Sequence, residues 1–342
     1  LKRLSDGYDI GAREIGGAKR KLGGARGSTA ARRRGIGMAS QIWGGGGGPP
    51  AYATVHLNPD GSAVVTAGTQ EIGTGTRTIL AQVCAEELGI DVDAVRVEIG
   101  DTEAPYGPIS AGSITTASVT PAVRLAAADA REQLLAAAAG ILEVPKAELR
   151  VEGGAIVSRG ARTPIKRIFD ELRNYTVIGR GSRMPNPENV SLKTFGAHFA
   201  QVEVDVRTGE IVVEKIVAVH DIGRVINPLT ARSQVEGGVI QALGFALMEE
   251  RVLDVRTGHV LNANLEAYKV PTVRDVPEIV VRFVGVPDTE ANNVGAKGLG
   301  EPPIIPTAAA VANAVANATG VRVRTLPMTA KRVLDALATA RP

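Results

Sequence analysis

Apolar and polar positions alternate through "AYATVHLNPDGSAVVTAG" on both sides of Pro59-Asp60-Gly61. A period of two interrupted by a turn triplet predicts a β-hairpin. The next stretch, "TQEIGTGTRTILAQVCAEELG", changes period. A Gly-rich turn leads into a helix whose apolar face is Ile79, Leu80, Val83 and Leu88, and Gly89 supplies its stop. "VDAVRVEIGDT" returns to strand, and "SAGSITTASVTPAVRLAAADAREQLLAAAAG" predicts a Ser/Thr-rich turn feeding a long alanine-rich helix that ends near Gly140. A small hairpin around Gly153-Gly154 and a helix over 165–172 complete this block.

A second block opens near Phe195. "HFAQVEVDVRTGEIVVEKIVAVHDIG" predicts a long hairpin turning at Thr208-Gly209, and "NPLTARSQVEGGVIQALGFALMEE" a helix with Thr230 as N-cap. Val235, Val239, Leu243 and Leu247 recur at every fourth position of that helix, while Gly237, Gly238 and Gly244 lie inside it. Each glycine costs a helix ~1 kcal/mol relative to alanine, so three imply a close backbone contact with another helix or with a ligand. Strands are expected over 252–261 and 279–284, then a glycine-rich loop and helix, then a short strand–helix unit. Residues 1–50 read as a connector: a short helix, basic loops, and "GIGMASQIWGGGGGPP", either a linker or a loop pressed against a ligand, with Trp43 favouring a docked loop. Both blocks mix hairpins with helices and neither alternates strand and helix regularly. The expected fold is α+β, with two related mixed subdomains over 51–190 and 191–342.

Composition narrows the function. A length of 342 residues suits roughly two domains of ~150 residues. The net charge of +3 is spread along the chain, except for a basic run comprising Lys19, Arg20, Lys21, Arg26 and Arg32 to Arg34. No aromatics interleave with that run as single-strand binders require, so a solvated or partner-facing tail is expected and no nucleic acid. Cys84 is the only cysteine, which excludes an internal disulfide, a Cys-based zinc site and an iron–sulfur cluster held by this chain alone. No run of ~18 apolar residues is present, so no membrane span is expected. The expected compartment is the cytoplasm, with the periplasm left open, because residue 1 is Leu and a removed leader is compatible with that start.

No phosphate loop of the G-x-x-x-x-G-K-[ST] type, no dinucleotide fingerprint in a βαβ setting and no G-x-S-x-G elbow occurs. The histidines His56, His198, His220 and His259 stand singly, so no metal ligand is assigned. Three loops of one kind do occur at helix starts: "EIGTG" (71–75), "TTASVT" (115–120) and "GAKGLGE" (295–301). Free backbone N–H groups and hydroxyls at helix starts hold phosphates and other polar ligands, and Lys297 adds positive charge. Glu301, at the end of the third loop, is either a first-turn acid satisfying the helix dipole or a working base.

Taken in order, "GTQEIGTGTRTILAQVCAEELG", "DIGRVINPLTARSQVEGGVIQALGFALMEE", "LEAYKVPTVRDVP" and "GAKGLGEPPIIPTAAAVANAVANATG" closely resemble the molybdenum-binding subunit of the xanthine dehydrogenase/aldehyde oxidase family, from about residue 35 to the end. Those subunits are usually much longer, and the likeness is to their C-terminal, second molybdopterin-binding half. The half not matched would carry the Gly-Phe-Gly-type loop by the metal and most substrate-selecting side chains. The resemblance implies that Ile72, Gly73 and Thr74 meet the pterin, with Thr74 standing where many relatives have Gln. It further implies cofactor contacts for Thr116, Ala117, Ser118, Thr120 and Gln234, to which Lys297 and Gly300 of the third loop are added, and it makes Glu301 the catalytic base. Asp221, Asn227 and Lys269 also fall in family motifs and are read as structural.

The implied cofactor is molybdenum–molybdopterin, held through its own dithiolene, in the cytosine dinucleotide form suggested by the bacterial look of the chain. The implied partners are the N-terminal half of the molybdenum subunit, an iron–sulfur (2Fe-2S) subunit and an FAD subunit. The implied reaction is hydroxylation of an aldehyde or a xanthine-like N-heterocycle with water as the oxygen source. A non-catalytic scaffold that only clamps the cofactor, and an unrelated phosphate binder, are the competing readings.

Overall fold

The structure, a computed structural model, describes residues 2–17, 29–172 and 175–339. In chain order its first part comprises α1 (Lys2–Glu14), β1 (Arg32–Trp43), β2 (Tyr52–Leu57), β3 (Ala63–Ala67), α2 (Thr76–Leu88), β4 (Val95–Ile99), α3 (Thr115–Leu142), the small β5 (Arg150–Glu152), β6 (Ala155–Ser158) and β7 (Ala161–Pro164), α4 (Ile165–Leu172) and β8 (Val177–Ser182). The second comprises β9 (Thr194–Asp205), β10 (Ile211–Asp221), α5 (Pro228–Leu247), β11 (Glu278–Phe283), α6 (Ile305–Thr319) and α7 (Ala330–Thr339). No helix among the described residues is long and apolar enough to cross a membrane.

Two four-stranded sheets, ordered β4-β3-β2-β8 and β1-β9-β10-β11, repeat one plan. An antiparallel hairpin (β2–β3, or β9–β10) is followed by a helix (α2, or α5), a strand parallel to the hairpin's second strand (β4, or β11), and a long helix (α3, or α6). The fourth strand of each sheet comes from outside this unit and pairs antiparallel with the hairpin's first strand. The alternation read in the sequence sets which face is covered: Ala53, Val55 and Leu57 on β2 and Ala63, Val65 and Ala67 on β3 are all buried in the first core. The α+β class and the relatedness of the two halves follow from this repeat.

Each long helix lies on its edge strand through the same device. An ideal Cβ at Gly179 or Gly181 on β8 would fall 1.9 Å from the Ala126 carbonyl oxygen or 2.0 Å from that of Ala122, both on α3. At Gly35 or Gly37 on β1 it would fall 2.1 Å from the Ala314 carbonyl oxygen or the Ala314 nitrogen on α6. A Gly-x-Gly strand and an alanine-rich helix therefore meet almost backbone to backbone, twice.

Several expectations are corrected. The connector segment is not a linker through 32–43, where β1 forms the edge of the second sheet. Arg32 and Arg34 of the basic run belong to no solvated or partner-facing tail but pair with Glu203, Asp205 and Glu214 across that sheet. Lys19, Arg20, Lys21 and Arg26 lie outside the described residues. The glycine run is docked: Gly48 N–H donates to Ser118 Oγ at 3.1 Å, and Trp43 Nε1–H donates to the Gly112 carbonyl at 3.0 Å. The α5 N-cap is Asn227, whose side chain accepts from Thr230 N–H, because Pro228 at the helix start moves the boundary upstream. Over 252–261 only the bridge Leu253–Val260 forms, and no strand precedes α7. Helix α3 ends at Leu142, near Gly140 as expected, whereas β8 went unforeseen because its arginine, serine and glycines mask the pattern.

His198 on β9 and His220 on β10, which look solitary in the sequence, face each other on neighbouring strands. Their Nε2 atoms lie 2.9 Å apart, and His198 Nδ1 lies 2.7 Å from Thr307 Oγ1 at the start of α6. Burial depresses both pKa values, that of His220 to about 3, and the neighbouring ring depresses His198 further. Both rings are therefore neutral in the folded protein.

Two outcomes follow. Gly37→Ala inserts a methyl into helix backbone, and thermal melting should register a loss of about 3 kcal/mol; an unchanged Tm contradicts the packing described. The histidines bind protons in the unfolded chain at a higher pH than in the folded one. Their contribution is intact above the unfolded pKa near ~6.5 and is lost as pH falls below it, by about 1.4 kcal/mol per pH unit per histidine. Denaturant midpoints taken between pH 7 and 4 should fall less steeply for His220→Gln than for the wild type, and parallel curves would contradict it.

Candidate functional site

The pseudo-repeat brings four helix starts to one place. A cavity of about 290 Å³ is bordered by Thr74, Thr76 and Ile79 at α2, Ser113, Thr115 and Thr116 at α3, Asn227, Thr230 and Gln234 at α5, and Gly298, Gly300 and Glu301 before α6. Helix N-termini carry partial positive charge, and hydroxyls and an amide ring the space between them. No hydrogen bond from the Gln234 amide forms among the described residues, so its donors and acceptor are uncommitted.

The α2 start does not offer the free N–H groups expected from "EIGTG". Glu71 Oε1 accepts from the N–H groups of Gly73 (2.9 Å), Thr74 (2.8 Å) and Gly75 (3.1 Å), and Oε2 accepts from that of Arg77 (3.0 Å). Partial burial alone would raise this carboxyl's pKa; the four backbone donors together outweigh it and hold it below the usual carboxylate value. The loop is thus locked by its own acid, and what it turns to the cavity are the Thr74 and Thr76 hydroxyls, 3.2 Å apart, and the exposed Ile72 side chain.

Of the residues singled out in the sequence, Ile72, Thr74, Thr116, Gln234, Lys297, Gly300 and Glu301 border this one cavity. Gly73 is exposed outside the lining. Ala117, Ser118 and Thr120 are fully buried inside α3. "TTASVT" lies within the helix, not before it, and these side chains turn into the fold: Ser118 Oγ holds Gly48, and Thr120 Oγ1 donates to the Thr116 carbonyl at 2.7 Å. Lys297 does not add free positive charge. The residue is 4% exposed, and its ammonium bonds Asp221 at 3.2 Å and Asp288 at 3.0 Å, with Arg3 closing on Asp288 at 3.1 Å. Two acids and two bases balance there, the arrangement a buried charge requires. Arg224 borders the cavity and pairs with Glu86 at 2.5 Å.

Glu301 stands exposed at the cavity rim, at the start of the short 3-10 turn Pro302–Ile304 that leads into α6. Behind that turn Gly238 of α5 provides room: a Cβ there would lie 2.7 Å from Pro303 Cβ. Gly238 thus answers to protein packing, whereas a Cβ at Gly237 would meet nothing within 4 Å. In front, the loop before α3 reaches over. Gly112 N–H donates to Glu301 Oε1 at 3.2 Å, Ser113 Oγ–H donates to Oε2 at 3.1 Å, and Glu301 N–H donates to Ser113 Oγ at 2.7 Å. Ser113 was not foreseen; its only trace in the sequence is the Ser-Ala-Gly-Ser turn, which resembles ordinary capping. Among the described residues no group of three or more His, Cys, Asp or Glu could hold a metal ion, so a metal in this cavity would have to arrive with its own ligand.

Comparison with known proteins agrees with this geometry. A family model described as the molybdopterin cofactor-binding domain matches residues 12–277. The chain is 36% identical over 316 residues to the xanthine dehydrogenase molybdenum-binding subunit of an Escherichia coli strain, covering 89% of this chain and 42% of that protein. It is 38% identical over 291 residues to the E. coli aldehyde oxidoreductase molybdenum-binding subunit PaoC, covering 83% and 38%. Among solved structures, quinoline 2-oxidoreductase from Pseudomonas putida 86 superposes with a TM-score of 0.81 at 26% identity, over 99% of this chain and 44% of that one. The aldehyde oxidoreductase from Desulfovibrio gigas superposes with a TM-score of 0.76 at 25% identity, over 98% and 36%. The chain therefore spans less than half the length of these relatives. With the family model matching residues 12–277, well over half of its length, the chain belongs to the molybdopterin cofactor-binding domain family.

Proposed function

We propose that this chain is the C-terminal molybdopterin-binding part of a molybdenum hydroxylase that oxidises an aldehyde or an N-heterocycle, with Glu301 as general base. The observation that carries this reading is the single carboxylate held at the rim of a cavity whose lining combines hydroxyls and the Gln234 amide with apolar side chains such as Ile72, Ile79, Ile222 and Leu299. The residues fit the cofactor. A pterin is a flat polar ring with donors and acceptors on its edge, and Thr74, Thr76, Thr116 and Gln234 present matching groups around the cavity. When bound, the molybdenum cofactor would supply the electron sink for a two-electron oxidation with water as the oxygen source. The loop locked by Glu71 would hold one edge of the cofactor, and Gln234 on α5 another. Glu301 would accept a proton at the rim: each carboxylate oxygen carries one protein hydrogen bond and keeps lone-pair capacity for an incoming donor.

The two repeats would be two subdomains, 51–190 and 191–342, with strand 32–43 belonging to the second. The pterin would be the cytosine dinucleotide, on the bacterial character of the relatives. The other half of the molybdenum subunit, a 2Fe-2S subunit and an FAD subunit would carry substrate selection and electron exit, since Cys84 is buried and its thiol is pushed up to about 12 by burial.

Two measurements test this. Glu301→Gln should lower kcat by about 10²–10⁴-fold with molybdenum and pterin content unchanged; a rate near that of the wild type contradicts the assignment of the base. Acid hydrolysis of the purified holoenzyme should release CMP in equal amount to molybdenum, and molybdenum without CMP contradicts the dinucleotide form.

A further inference from the structure

We propose that Ser113 is a positioning residue for Glu301, an inference that rests on the reading of Glu301 as the base. The hydroxyl of Ser113 is engaged from two sides by the same residue. Its oxygen accepts the Glu301 N–H at 2.7 Å, and its proton goes to Glu301 Oε2 at 3.1 Å. A hydroxyl has one proton to give, and with the backbone N–H of Glu301 fixed on its oxygen that proton is aimed at the carboxylate. Gly112 N–H holds the other carboxylate oxygen at 3.2 Å. The acid is thereby clamped at both oxygens by consecutive residues of a loop nearly two hundred positions away in the chain.

The backbone shows that this clamp is imposed. Ser113 has φ 58° and follows Gly112 at φ 63°. The other non-glycine residues with positive φ among those described are Glu143 and Arg159. Glu143 caps the C-terminus of α3 and Arg159 sits in the β6–β7 turn, places where the left-handed conformation serves the chain path. Ser113 precedes a helix, where no such need exists, and strain of this kind concentrates at functional sites. Three further contacts hold the loop in place. Trp43 Nε1–H bonds the Gly112 carbonyl at 3.0 Å, and Gln70 bonds Ser110 through both its side-chain oxygen (2.9 Å) and its carbonyl (2.7 Å). Gly298 leaves room for the Ser113 carbonyl, which would lie 1.5 Å from a Cβ at that position. Glycine at 298 and a strained serine at 113 are thus two halves of one fit, made across the two repeats.

The test compares Ser113→Ala, Ser113→Gly, Glu301→Gln and the double variant Ser113→Ala/Glu301→Gln in the purified holoenzyme, with a crystal structure of Ser113→Ala. Positioning predicts that both serine variants lose about 10²-fold in kcat, as a misplacement on the order of 1 Å costs, with KM within about twofold and metal and pterin content unchanged. It predicts that Ser113→Gly melts at higher temperature than Ser113→Ala, since glycine relieves the strain. It predicts that the double variant is no slower than Glu301→Gln, and that the carboxylate has moved in the crystal structure. An unmoved carboxylate, an unchanged kcat in the serine variants, or losses that multiply in the double variant overturn the role of Ser113 while leaving Glu301 as the base. A Glu301→Gln enzyme of wild-type rate instead removes the base reading itself.

Discussion

Helix α6 lies on β1, and α3 on β8, at a distance that only glycine permits on the strand and only small residues permit on the helix. The rest of the molecule depends on that approach. The borrowed edge strand, not the hairpin core, sets the height and angle of each long helix, and so fixes where its first turn projects. Because the same device operates in both repeats, the two projections are related, and the N-termini of α3 and α6 arrive at one cavity together with those of α2 and α5. A side chain at Gly37 or Gly181 would separate helix from sheet and shift the site at its far end.

The cavity that results is preorganised by charge already committed inside the fold. Glu71 takes up the amide donors at the α2 start, Asn227 accepts from Thr230 N–H at that of α5, and Lys297 is bonded to Asp221 and Asp288. What is left facing the cavity is neutral, apart from Arg224, itself paired, and Glu301. An acid that lacks a cationic partner and keeps lone-pair capacity is suited to receive a proton. The hydrogen bonds from Gly112 and Ser113 would give a proton transfer there a defined geometry. The neutral pair His198–His220, through Thr307, places a further hydrogen bond beneath the same helix start.

Much of the fold was legible in the sequence because local signals are strong where one face is buried. The hairpin at Pro59-Asp60-Gly61, the helix stopped by Gly89 and the hairpin at Thr208-Gly209 all follow from period and turn residues. Of the four edge strands of the two four-stranded sheets, β1 and β8 were lost, and for one reason: Gly35, Gly37, Gly179 and Gly181 are there to let helices approach, and glycines spaced by two read as loop. Ile72, Thr74, Gln234 and Glu301, singled out by their strings, do border one cavity, whereas Gly73 lies outside its lining. Which atoms face inward could not be read from the strings, because that depends on long-range pairings. Ser118 looks like a cofactor hydroxyl until Gly48 is seen to donate to it, Lys297 looks like a free cation until Asp221 and Asp288 are folded against it, and Ser113 looks like a cap until it meets Glu301.

The central claim is that the convergent helix starts of the two repeats enclose one molybdenum cofactor beside Glu301. Anomalous diffraction collected on either side of the molybdenum K edge, from crystals of the purified holoenzyme, addresses it directly. The account predicts a single molybdenum peak at the cavity bordered by Thr74, Thr116, Gln234 and Glu301. Absence of molybdenum from fully active crystals, or a peak at a place remote from Glu301, would contradict it.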